Sequence, residues 1–217
     1  MKLPLLLFAV ATLLLHSGCV TGRRELTLVV PTTTTSVPAA TKGKIYIAAV
    51  TDDRVFQNNP SEPSTPSIDG DVTMLSAAGK DRMIGRQRGG FGKALGDISL
   101  SGNDTVTNRV RQLAEEGFRR AGYEIVTAPV GAIPATISVD KFWAWMDPGF
   151  WSLTFETQIT TRITLKTTTT TTSFTVVAAG KNHGQFAKDA NWVQAFDPAI
   201  EDFFANFKHE IDKIDLH

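Results

Sequence analysis

The chain has one cysteine, Cys19, so no internal disulfide is possible and the fold must stand on its core. Histidine is scarce, with four in 217 residues: His16, His183, His209 and His217. No pair of them has metal-ligand spacing, and a zinc site would need about four N, S or O donors. No Gly-x-Ser-x-Gly elbow is present. There is no excess of either charge, since Lys plus Arg and Asp plus Glu number 22 each. That balance argues against nucleic acid as a partner, because phosphate binding needs a basic surplus. Long hydrophobic runs are also missing. The longest, Leu3 to Leu15, would span about 20 Å as a helix, against about 30 Å for a bilayer core.

That run sits where a signal peptide has its apolar region. Lys2 precedes it, and His16-Ser17-Gly18-Cys19 follows. Ser17, Gly18 and Cys19 fit the end of a bacterial lipoprotein signal, although His16 stands where Leu is usual. Residues 1–18 are therefore expected to be a leader, with Cys19 the lipidated first residue of the mature chain. Several acyl chains on one residue anchor a protein firmly where a single chain does so only marginally. Val20, rather than Asp, follows the cysteine and points to the periplasmic side of the outer membrane. The membrane is thus one expected partner, through the acyl chains, and an envelope protein is the other. Oligomeric state is left open.

The hydrophobic share is 42%, with thirteen Phe and four Trp, enough for a sizeable core. Residues 19–43 read as a lipidated N-terminus with a short strand over Glu25–Val30 and a Thr/Pro-rich tether. About 24 residues of such chain would reach at most about 80 Å. Residues 44–217 read as one α+β domain, with an antiparallel or mixed sheet and two amphipathic helices packed on one face. Lys44 to Val50 is a strand with Ile45, Ile47 and Ala49 on one face. Gln57 to Gly79 is an irregular, mobile loop. Asp104 to Gly122 is the clearest helix, capped by Asp104, striped by Val106, Val110, Leu113, Gly117, Phe118 and Ala121, and stopped by Gly122. Tyr123 to Thr127 and Ala135 to Met146 are strands, and Asp147-Pro148-Gly149 is a turn.

Phe150 to Thr167 alternates strictly, with Trp151, Leu153, Phe155, Ile159, Ile163 and Leu165 on one side. Thr167 to Gly180 returns as its partner, and its threonine run favours strand. Ala190 to Ile214 is a closing helix. In it Asp197-Pro198 resembles an N-cap with proline at the first helical position.

No catalytic residues, metal site or cofactor are expected. Asp52 and Asp53 read as a cap or a salt bridge to Arg54 in preference to an acid–base pair. Gly85 to Lys93 is a glycine-rich basic stretch that fails the Walker pattern at Gln87 and Ala94. It reads as a surface loop, with Arg86, Arg88 and Lys93 as candidates to meet an anionic partner. Phe142, Trp143, Trp145, Met146, Phe150 and Trp151 crowd both sides of a turn. Trp143, Trp145, Phe150 and Trp151 are the candidate binding aromatics, exposed or covered by the loop after Gly79. The binding reading has two forms: a protein partner, or a lipid, glycan or peptidoglycan fragment stacked on the hairpin.

These features together resemble the YajG family of small bacterial lipoproteins. They are the leader with Cys19, the strand Lys44 to Val50 followed by Asp52-Asp53-Arg54, and the helix ending in Phe118-Arg119-Arg120-Ala121-Gly122-Tyr123. The Gly149-Phe150-Trp151 hairpin and the helix from Asn191-Trp192 complete the set. The resemblance implies an envelope lipoprotein with a small α+β fold and no assigned enzymatic activity. It implies no catalytic residues.

Overall fold

The computed structural model describes residues 22–33, 41–88 and 94–215. The expected leader, Cys19 and Lys93 lie outside them, as does most of the expected tether.

One strand organises the sheet. β6 (Ile133–Pro148) pairs along its length with antiparallel β7 (Leu153–Lys166), which pairs in turn with β8 (Thr171–Gly184). Its other edge is divided between two parallel partners. β2 (Lys44–Asp52) takes Ile133 to Val139, and β3 (Met83–Arg88) takes Ala144 and Trp145. β5 (Glu124–Ile125) extends the β2 branch, while β4 (Ala94–Leu100) and β1 (Arg24–Leu26) extend the β3 branch. The result is an 8-stranded mixed sheet forked on one side. Gly85 is needed at the second branch, because a Cβ there would lie 2.7 Å from the Ala144 carbonyl oxygen.

Three helices complete the α+β fold among the described residues: α1 (Ala77–Lys80), α2 (Val106–Arg120) and α3 (Asp189–Ile211). The whole predicted stripe of α2 is buried. The N-cap is Thr105, whose Oγ1 accepts from Asn108 N; Asp104 instead holds Arg109. Gly122 takes φ +95° at the stop. α3 brings Trp192, Phe196, Phe203 and Phe207 into the core. There Phe196 stacks on Phe142 at 5.2 Å, Trp192 meets Phe155 edge-on at 5.0 Å, and Phe207 meets Phe118 of α2 at 4.9 Å.

Several boundaries differ from expectation. Leu26, Leu28 and Val30 are buried in the same core, so the folded body takes up the chain at its first strand, not at Lys44. A bulge after Ile47 turns Ala49 to solvent. Gly85 to Arg88, expected as part of a surface loop, belong to buried β3, because burial against β6 and the loop ahead of β3 outweighs the glycine content, and Ala94–Leu100 forms β4. Pro198 lies inside α3, not at its start, since Ala195 and Phe196 before it and Ala199 and Ile200 after it are all buried. Docking of both flanks overrides the lost hydrogen bond. β6 runs through Asp147 and Pro148, and the turn is moved to Gly149–Ser152.

Candidate interaction surface

Side chains alternate across β6, and the two aromatic neighbours at its centre meet different covers. Phe142 faces α3. Trp143 faces the opposite way and is fully buried under the segment between β2 and β3, among Ile68, Val72 and Met83. Phe56 meets it edge-on at 5.9 Å, and its indole N–H donates to the Pro63 carbonyl at 3.2 Å. The cover thus precedes Gly79 instead of following it. It takes Trp143 out of the set of binding residues.

The same segment accounts for the two arginines. Arg88 donates from Nη1 to the Pro60 carbonyl at 2.6 Å and from Nη2 to Ser67 Oγ at 3.1 Å. Arg86 lies 3.7 Å from Asp69. Both are buried, at 5% and 8% exposure for Arg86 and Arg88, and burial beside Arg86 pulls the Arg88 pKa down. They hold the loop onto the sheet and present no charge to an outside anion. Asp97 accepts from the Asp69 N–H at 2.8 Å, and burial raises its pKa against the pull of Arg86 and Arg23.

Asp52 and Asp53 do not converge. Asp52 Oδ1 and Oδ2 accept from Arg54 at 2.6 and 2.8 Å, as the salt-bridge reading expects. Asp53 Oδ2 accepts from Ser138 Oγ at 2.6 Å. A hollow of about 350 Å³ opens beside Asp52, Arg54 and Lys80, with both Asp52 oxygens already engaged. Among the described residues no three His, Cys, Asp or Glu side chains are grouped to hold a metal ion.

Phe150 and Trp151 stand apart from all of this. The Gly149 N–H donates to the Ser152 carbonyl at 2.9 Å and closes the β6–β7 turn. Its two aromatic side chains are 90% and 87% exposed and meet edge-to-face at 4.8 Å. The alternation that placed Trp151 beside Leu153 ends at Leu153, where pairing with β8 begins. Leu153 pairs with Gly184, so the segment after β8 leaves the sheet at the same end. It carries Phe186, 65% exposed, with Lys188 Nζ 5.8 Å from its ring centre. Phe186 escaped the sequence reading; its only signal is an isolated aromatic in a Gly/Gln/Lys connection.

Trp145 is half-buried on the face of β6 that it shares with Trp143. It borders an open hollow of about 380 Å³ with Glu156, Gln158 and Lys181. Lys181 Nζ lies 2.8 Å from Glu156 Oε1, and that hydrogen bond raises the lysine pKa. The predicted aromatic cluster therefore divides into a core residue (Trp143), a groove residue (Trp145) and an exposed tip (Phe150 and Trp151).

No protein-family model matches the chain, and no curated protein matches it. Solved structures do. Protein XCC0632 from Xanthomonas campestris, described under family-model DUF330, aligns with 88% of this chain and 98% of its own, at 12% identity and a TM-score of 0.40. A second, described as an uncharacterized protein, aligns with 87% of this chain and 92% of its own, at 8% identity and a TM-score of 0.33. Neither likeness bears on what the chain does.

Proposed function

We propose that the chain is a bacterial envelope lipoprotein. Acyl chains on Cys19 tie it to the periplasmic side of the outer membrane, and its folded body is a non-catalytic interaction module for an envelope protein. The supporting observation is the leader that closes at Ser17-Gly18-Cys19, three residues ahead of Gly22, whose N–H donates to the Leu95 carbonyl at 3.0 Å. No described helix is long and apolar enough to cross a membrane, which is compatible with a lipid tether. The YajG resemblance belongs to the same reading.

The test is the mass of the mature protein from membranes. It should begin at Cys19 and carry fatty acids, globomycin should leave the precursor uncleaved, and Cys19→Ala should abolish both lipidation and membrane recovery. A mature chain starting elsewhere, without added lipid mass, removes the reading.

A second reading has its own observation. The hollow beside Trp145 has the volume of a small-molecule site, and it pairs an aromatic wall with the Glu156–Lys181 ion pair. A glycan or peptidoglycan fragment could stack there. Muropeptides should then change the tryptophan emission of the unmodified chain and leave that of Trp145→Phe unchanged. No response in either chain removes this alternative.

A further inference from the structure

The strand directions bring distant parts of the chain to one end of the sheet. β6 runs toward the Gly149–Ser152 turn, and β3 runs parallel to it. β4 is antiparallel to β3, and β1 is parallel to β4. β1 therefore starts at the end where β6 finishes. The side chains agree: Arg24 donates to the Ala187 carbonyl and to Asp189 Oδ1, the latter at 3.0 Å, next to Phe186 and Lys188.

Phe150, Trp151 and Phe186 are the exposed aromatic side chains among the described residues, and all three lie at this end. The opposite end of β7 is different. There the turn Thr167–Thr170 is closed by the Thr167 N–H donating to the Thr170 carbonyl at 2.8 Å, and it presents threonines.

From these positions we infer that the Phe150–Trp151–Phe186 end of the sheet rests in the headgroup region of the bilayer that holds the acyl chains. The inference rests on the lipoprotein reading for its choice of occupant. From Cys19 to Gly22 the chain can extend by at most about 11 Å. The short strand expected over Glu25–Val30 is β1 and the buried run after it, packed into the core ahead of the expected tether, so the body cannot swing far from its anchor. Whatever end carries β1 is held against the lipid surface. Tryptophan and phenylalanine are the side chains that gain most there, since their apolar bodies leave water while the indole N–H stays among polar groups. Lys188, beside Phe186, adds a cation on a stem that can reach back to the phosphates.

The contact is read by tryptophan depth. The protein purified from membranes is placed in phosphatidylethanolamine/phosphatidylglycerol vesicles, with or without dibrominated acyl chains, alongside a Trp151→Phe variant. Trp143 and Trp192 are buried in the fold, so the solvent-facing emission comes from Trp151 with a share from Trp145. Brominated lipid is expected to quench a blue-shifted component in the unmodified protein, and Trp151→Phe should lose that component. The proposal is overturned if brominated lipid quenches both proteins equally or not at all while iodide still reaches Trp151. It is equally overturned if a photo-crosslinker at position 150 captures protein and no lipid in intact cells. Intact mass separates the two readings. A chain without acyl groups defeats the lipoprotein reading, and the same quenching comparison on that chain still decides the contact.

Discussion

Arg54 bridges the fork in the sheet, donating from Nη1 to the Phe142 carbonyl at 3.0 Å. The same nitrogen reaches the Met83 carbonyl at 2.6 Å, and Nη2 reaches the Lys80 carbonyl at 2.8 Å. These carbonyls lie where β2 has left β6 and β3 has not yet joined it. One guanidinium, its charge balanced by Asp52, satisfies backbone from three segments and stacks within 5.2 Å of Phe56.

Arg54→Met should therefore destabilise the fold by about 3 kcal/mol, because the buried Met83 and Phe142 carbonyls and the partly buried Asp52 lose their partner. Arg54→Lys should recover only part of this, since an ammonium cannot copy the planar fork. Urea unfolding followed by tryptophan emission measures both. Equal stability of the Lys variant and the unmodified protein would refute the bridging role.

Gly180 controls how α3 sits on β8. A Cβ at this position would lie 2.2 Å from the Ala195 carbonyl oxygen and 2.6 Å from the Ala199 nitrogen, both backbone atoms. Gly180→Ala should cost about 3 kcal/mol or more, because a whole helix must shift. Its thermal midpoint, compared with that of Ala179→Ser on the exposed side of the same strand, makes the check. A drop no larger than that of Ala179→Ser would show that the helix can move aside freely.

The run from α2 through β5–β8 to α3 was legible because α2, β7 and β8 carry strong periodicity, and α2 ends on a glycine that needs a positive φ; α1, β3 and β4 were not. What was not legible depended on contacts far apart in sequence. Arg86 and Arg88 carry no local sign that Pro60, Ser67 and Asp69 lie over them. Trp143 and Trp145 share one strand and one face, yet the loop before α1 covers only the first completely. Trp151 fits the apolar alternation of β7 by identity, but the register of β8 stops two residues short of it. Periodicity gives the face of a residue; it does not show whether anything covers that face.

The open edge of β8 is covered by side chains from α3. Asp202 Oδ2 accepts from the Ala179 N–H at 2.9 Å, and Asn206 Nδ2 donates to the Val177 carbonyl at 2.8 Å. An uncovered edge of this length is a template for pairing with a second chain. Replacing Asp202 and Asn206 together by Ala should cost only about 1 kcal/mol in stability, since water can take their place. It should, however, promote self-association. Sedimentation velocity over a concentration series should show the variant gaining mass faster than the unmodified chain. Identical behaviour would show that the edge is protected by something other than these two residues.

Acid should loosen the junction between the N-terminal segment and α2. Glu116 Oε1 accepts from the Thr33 N–H at 2.9 Å, from Thr33 Oγ1 at 2.6 Å and from Arg120 Nε at 3.0 Å, with the carboxylate side chain 1% exposed. Burial alone would raise its pKa, but the Thr33 hydrogen bonds and Arg120 together outweigh burial and bring it below the ordinary 4.5. The unfolded chain therefore binds the proton more readily. The stabilisation is complete above the ordinary value and is lost as pH falls from there through the lower folded value. Glu116→Gln should cost about 1.5–3 kcal/mol at neutral pH, the range for hydrogen bonds to a charged group. It should also remove this part of the acid dependence. Urea midpoints at pH 7 and pH 3 should then converge for the two proteins as the carboxylate is protonated. A gap between them that stays constant across that range would mean that the charge on Glu116 contributes nothing to the junction.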